Sequence, residues 1–196
     1  MRLLDDVDLS QLALVALDDD AAMEELMARV CDVSHRYCRA RLTSYAGGRQ
    51  LSDDVVQEIC LAVFKALPRF RHTGVPFEAF VYSIGSRKVA DAQRGAIRSP
   101  LVLVADVPDE ADPALSPEQN AIRASESAEM LHLLDRLPDK LREVLVLRVA
   151  MALTAERVGV ALGMSAGAVR VSQHRGLERL RVLMRERNQT LQAVKQ

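Results

Sequence analysis

The stretch that most constrains the fold is "LTAERVGVALGMSAGAVRVSQHRGLERLR", residues 153 to 181. It asks for two helices joined by one sharp turn. Thr154 can cap the first helix through its hydroxyl, and Val158 and Leu162 fall on that helix's inward side. Gly163 supplies the turn, because a left-handed backbone is cheap only for glycine. Ser165 can cap the second helix. On it Val169, Gly176, Leu180 and Leu183 share one side, while Arg170, Val171, His174 and Arg175 point the other way. An inward apolar stripe opposite an outward basic face is what a helix entering a major groove needs. Arg170 and Arg175 are the first candidates for DNA contact. Ser165 and Gly167 let the helix N-terminus approach a phosphate. His174 is either a contact or a solvated side chain.

The rest of the chain repeats the helical period. Only 4% of residues are aromatic and none is Trp, while Ala, Leu and Arg favour helix. Apolar residues at Leu26, Val30, Val33, Tyr37 and Leu42 predict a helix over about 21–45. Ser52 reads as an N-cap before "DDVVQEICLAVFKAL", with two acids in the first turn, and Pro68 ends that helix. Pro76 suits the first turn of a helix running to about Arg98. Its apolar stripe holds Phe77, Phe80, Val81, Ile84 and Val89, and Tyr82 is expected to face outward. Residues 99–128 carry four prolines and a cluster of acids, which reads as a linker; its "LVLV" lacks a partner strand. Helical pattern resumes over 129–136, 138–150, 154–162 and 165–186. The predicted fold is all-α: two small helical domains, 21–98 and 129–187, joined by a flexible acidic linker. An acidic arm (1–20, a weak helix or a tail) precedes them and a C-terminal tail (188–196) follows.

Net charge over the whole chain is −1, but its distribution is uneven. Residues 1–25 carry −7, 26–98 carry +6, 99–129 carry −6 and 136–187 carry +6. Two basic blocks separated by an acidic segment point to a nucleic-acid partner. The acidic arm either masks the basic faces in the free protein or solubilises the chain. No apolar run is long enough to span a bilayer, and "MRLLDDVDLS" has acids where a signal peptide has a basic region. A cytoplasmic protein is expected, and three cysteines in no pairing pattern agree with a reducing compartment. In "CDVSHRYC", Cys31, His35 and Cys38 share a helical face. A structural zinc wants four ligands and that face is also the apolar one, so the reading is core packing, with no metal or cofactor. Cys60 is placed on a buried turn of its helix, so thiol redox sensing there is not expected. Catalytic triads, metal motifs and phosphate loops are missing from the sequence, so an enzyme is not expected.

"SDDVVQEICLAVFKALPRFRHTGVPFEAFVYSIGSRKVADAQR" resembles region 2 of the bacterial sigma-70 factors, and "LLDRLPDKLREVLVLRVAMALTAERVGVALGMSAGAVRVSQHRGLERLR" resembles their region 4. Two regions and little else is the arrangement of the extracytoplasmic-function (ECF) group. "ALPRFR", "RKVADAQR" and "GAVRVSQHRGLERL" look most like its actinobacterial SigD-type members. The resemblance implies a non-catalytic specificity subunit that binds core RNA polymerase and directs initiation at particular promoters. It implies that Asp53, Asp54, Gln57 and Glu58 meet the clamp coiled coil of the largest polymerase subunit, with region 4 toward the flap. It implies that Arg69, Phe70, Arg71 and His72 receive a flipped base of the −10 element, and that Arg87, Lys88, Arg94 and Arg98 hold its backbone. Asp91 is then an internal ion-pair partner among these arginines. Ser165, Gly167, Arg170, Val171, His174 and Arg175 would read the −35 duplex. Strand opening would be driven by capture of unstacked bases. An anti-sigma factor, often membrane-anchored in the family, is an implied partner; a small-molecule substrate is not. The chain departs from the family pattern at Phe80 (usually Trp), Arg87 (usually Asn) and Gly159 (usually Ala, so a softer helix is expected). The alternative function is an autonomous helix-turn-helix regulator that binds duplex DNA without polymerase.

Overall fold

The computed structural model describes residues 8–45, 47–71, 74–98 and 129–194, so the expected linker and His72 lie outside the described residues. The N-terminal half is built from α1 (Leu9–Val15), α2 (Asp20–Leu42), α3 (Gly48–Ala66) and α4 (Phe77–Arg98). Asp19 caps α2 by accepting from the Ala21 and Ala22 amides at 2.9 and 3.2 Å. The segment read as a weak helix or a tail contributes α1, which Asp8 caps and which buries Leu9, Leu12 and Ala13. Ser10 is buried with them, and its hydroxyl accepts from the Phe77 amide at 3.0 Å. It thereby satisfies one of the amides that the start of α4 leaves without a helical partner.

α3 begins one turn before the expected cap at Ser52. Gly47 takes the left-handed conformation (φ 64°), and a Cβ on Gly48 would stand 2.5 Å from the Leu42 carbonyl oxygen. Two glycines therefore let the chain reverse tightly between α2 and α3, and the new helix starts at the reversal. Ser52 is buried and donates to the Cys38 carbonyl at 3.5 Å. A 3-10 turn, Leu67–Arg69, contains Pro68 and closes the helix. Tyr82, expected outside, is buried edge-on to Tyr37, with ring centroids 5.6 Å apart, because α4 packs on α2 along that side. Phe77 lies in the core and Phe80 packs against it.

The C-terminal half holds α5 (129–135), α6 (Asp139–Leu145), a π-helical turn (Val146–Ala150), α7 (Ala155–Leu162) and α8 (Ala166–Val194). α8 runs past the expected end at 186. It crosses α6 closely: a Cβ on Gly176 would meet the Leu145 side chain at 3.0 Å. Gly159 does not merely soften α7. A Cβ there would stand 2.6 Å from the Met164 carbonyl oxygen, so the turn folds back against the helix through the missing side chain.

The two halves pack on each other. Val144, Leu147, Leu153, Val158 and Val169 join one core with Leu26, Tyr37, Ile59, Phe77 and Val89. Polar groups are buried at this seam. The Tyr37 hydroxyl donates to Glu143, and Arg41 Nε lies 2.9 Å from Glu143 Oε2. Gln93 donates to the Arg41 carbonyl at 3.1 Å and accepts from Arg41 Nη2 at 3.3 Å. Nearer the surface, Arg157 Nη1 donates to Glu78 Oε2 at 2.8 Å.

Candidate nucleic-acid interface

The helix-turn-helix forms through its local caps. Thr154 Oγ1 accepts from the Arg157 amide at 3.2 Å, and Ser165 Oγ accepts from the Ala168 amide at 3.2 Å. Gly163 is left-handed (φ 64°), as the turn requires. Val169 is fully buried, while Ser165, just before α8, and Gly167, Arg170, Val171, His174 and Arg175, on its first three turns, are all exposed. Arg170 pairs with Glu156 of α7. The Glu156 carboxyl is held below its ordinary range by its own backbone amide, then by the Thr154 hydroxyl, with Arg170 adding to the effect. The outward face is therefore a basic patch with one apolar contact, Val171, and one of its arginines already tethered. Arg148, behind it, is committed to structure: Nε donates to Gln173 Oε1 at 2.9 Å, and Nη1 donates to the Leu153 carbonyl.

In the N-terminal half Arg69 and Arg71 are exposed, and Arg71 Nη1 donates to the Pro68 carbonyl at 3.1 Å. Phe70 is half-buried. It sits in an aromatic cluster with Phe77 and Phe80, at centroid distances of 5.0 and 5.2 Å. It offers only part of its ring, the rest being packing. Arg87 is exposed, and Arg94 pairs with Asp91, as expected for that face. Arg98 ends α4.

Asp53, Asp54, Gln57 and Glu58 are all exposed along one side of α3. Gln50 donates to Asp54 at 3.1 Å, and His35 Nδ1 lies 3.8 Å from Asp53 Oδ1. Lys88 of α4 reaches Glu58 at 2.8 Å, so a lysine grouped with the DNA-facing residues and a glutamate grouped with the polymerase-facing ones are partners here. The acidic side continues into Leu61 (58% exposed) and Phe64 (51% exposed), which the sequence reading missed. The available signal was their register: both fall off the buried stripe of Val55, Ile59 and Val63.

The zinc-like spacing does not gather its residues. Cys38 is buried, His35 is exposed toward Asp53, and Cys31 turns to α3. Among the described residues no helix is long and apolar enough to cross a membrane.

Comparison with known proteins identifies the family. Sigma-70 region 2 matches residues 22–98, and Sigma-70, region 4 matches residues 133–182. The ECF RNA polymerase sigma factor ShbA of Streptomyces griseus is 50% identical over 173 residues, covering 86% of this chain and 91% of that one. The ECF RNA polymerase sigma factor SigD of Mycobacterium tuberculosis is 44% identical over 163 residues, covering 83% and 77%. Among solved structures, CnrH in complex with the cytosolic domain of CnrY shares the fold at a TM-score of 0.65 and 23% identity, over 91% of this chain and 97% of that one. The sigma factor RpoE of Bartonella quintana, in complex with the anti-sigma factor NepR, gives 0.63 and 17%, over 83% and 96%. With both regions matched in order and relatives this near along most of its length, the chain belongs to the ECF group of sigma-70 factors, of the SigD type.

Proposed function

We propose that this chain is an alternative sigma subunit that binds core RNA polymerase and confers promoter specificity through two separate readers. The observation that carries the reading is the pairing, on one chain, of an exposed basic recognition face on α8 with an exposed acidic and apolar face on α3. Arg170, Val171, His174 and Arg175 lie in the major groove of the −35 duplex, with Ser165 and Gly167 admitting a phosphate to the N-terminus of α8. Arg69, Phe70, Arg71 and His72 take a flipped −10 base, while Arg87, Lys88, Arg94 and Arg98 follow the backbone. Asp53, Asp54, Gln57 and Glu58 meet basic residues of the polymerase clamp coiled coil, and Leu61 and Phe64 supply apolar burial beside them. Region 4 approaches the flap. An anti-sigma factor is the expected inhibitor, as RpoE is held by NepR in its solved complex. The chain works in the cytoplasm, where the polymerase is, as an initiation factor and not an enzyme.

The packed arrangement has a mechanical consequence. The −35 and −10 labels put roughly 25 base pairs between the elements, about 85 Å of duplex at about 3.4 Å per step. A compact chain of this length has a radius of gyration of about 16 Å. It cannot touch both elements while its halves share a core, so promoter binding requires the Tyr37–Arg41–Glu143 seam to part.

The test is run-off transcription with purified core polymerase on a pool of promoter fragments, with and without this chain. Transcripts that need both establish the function, and their start sites reveal both promoter elements. Duplex binding without core, and no transcription with it, would overturn the reading in favour of the autonomous regulator.

A further inference from the structure

Cys31 of α2 and Cys60 of α3 are 29 positions apart in sequence, yet their sulfurs stand 2.9 Å from each other. Both are half-buried, Cys60 less deeply than its expected buried turn, so a small oxidant can reach them, whereas Cys38 is buried. We propose that Cys31 and Cys60 form an oxidation site for small hydroperoxides, closing to a disulfide that staples α2 to α3.

The two sulfurs share one half-buried environment. The Cys60 thiol is pushed up to about 12, first by burial and then by its hydrogen bond to Cys31 and the charge there. Either sulfur can donate in this contact, and the reaction balances in the same way whichever of the two attacks first. One sulfur of the pair, written here as Cys31, attacks the terminal oxygen of the hydroperoxide as its thiolate. An S–O bond forms, the O–O bond breaks, and the departing alkoxide or hydroxide takes a proton. This leaves a sulfenic acid on Cys31. The Cys60 sulfur then attacks the Cys31 sulfur. The S–S bond forms, the S–O bond breaks, and hydroxide leaves with the Cys60 proton as water. Two thiols lose two electrons to one hydroperoxide, yielding one disulfide, one alcohol (or water) and one water.

The geometric demand is small. A disulfide has an S–S distance of about 2.05 Å, so the sulfurs must approach by less than about 1 Å. That is too little to displace Leu61 or Phe64 on the outward side of α3. The bond is thus a reinforcing staple for the N-terminal half under peroxide stress, transient wherever thiol reductants dominate. Cys38 takes no part: it is buried, and burial pushes its thiol up to about 12.

The experiment uses the reduced full chain, treated with hydrogen peroxide, alkylated, digested and analysed by mass spectrometry. The expected product is a peptide pair linked Cys31 to Cys60, also formed in Cys38→Ser and reversed by dithiothreitol. The oxidised chain should melt about 5–10 °C higher than the reduced chain, from the loop entropy of a closure this long. Cys60→Ser and Cys31→Ser should each abolish the linked pair and leave a sulfenic acid on the remaining sulfur that dimedone traps. Independent alkylation or over-oxidation of Cys31 and Cys60 in the wild-type chain, or a principal bond to Cys38, would overturn the site. A linked peptide with no rise in melting temperature would overturn the staple.

Discussion

Replacing Glu143 with Ala is the most direct test of the seam between the two halves. The Glu143 side chain is 12% exposed and the Arg41 side chain 3%, so the substitution strands a guanidinium out of water. Breaking one side of a buried ion pair costs about 3–5 kcal/mol. Arg41 keeps its contacts to Gln93, so the lower end applies, about 3 kcal/mol. The Tyr37 hydroxyl loses its acceptor too. In the separated state Arg41 returns to water and the penalty vanishes, so the packed-to-open ratio should fall about a hundredfold. Small-angle scattering should then report a radius of gyration several ångströms above the ~16 Å of a compact chain, with helicity by circular dichroism unchanged. A second variant guards against simple misfolding. Arg41→Met with Glu143→Leu removes both charges and fills the space with apolar atoms, which is often neutral, and should restore the compact radius. An unchanged radius in Glu143→Ala with helicity intact would refute the idea that this pair holds the halves together.

Other outcomes follow from the same geometry. Gly159→Ala should destabilise the chain by about 1 kcal/mol in urea unfolding. The ~1 kcal/mol helix-propensity gain is outweighed by a Cβ placed 2.6 Å from the Met164 carbonyl oxygen, an overpacking that costs about 1–3 kcal/mol. Leu61→Asp with Phe64→Asp should weaken core-polymerase binding at least about a hundredfold by fluorescence anisotropy, with the unfolding midpoint almost unmoved because both side chains already face solvent. Alkaline pH should unfold the chain through its buried phenols. Burial pushes Tyr82 up to about 12 and Tyr37 well above its ordinary value. A folded pKa above the unfolded one means the stabilisation is complete below about pH 10 and is lost as pH rises toward 12. Tyrosinate absorbance from these two residues should appear together with loss of helicity; full ionisation with helicity retained would contradict their burial.

The sequence alone determined the features whose partners are a turn or less away. Thr154, Gly163 and Ser165 were legible because caps and a left-handed turn are local events, bonded within three residues. The outward row of Arg170, Val171, His174 and Arg175 was legible because helical period fixes which residues share a face. The acids and Gln57 of α3 were readable by the same rule, and the resemblance to two sigma regions gave them a role. Where a residue's fate hung on a distant partner, the sequence misled or was silent. Ser52 carries a cap's chemistry, but the close approach of Gly48 to Leu42 started the helix earlier. Tyr82 lies beside the apolar stripe and was buried by Tyr37. The sequence reads as two helical halves, and nothing local announces that they share a core. Only tertiary structure brought Glu143 to Tyr37, 106 positions away, and Cys31 to Cys60. Hydrogen-bonded turns and helical faces are set by the chain's own geometry over a few residues. Burial of a charge or pairing of two sulfurs is set by which surfaces exclude water from each other, and that is decided only once the helices pack.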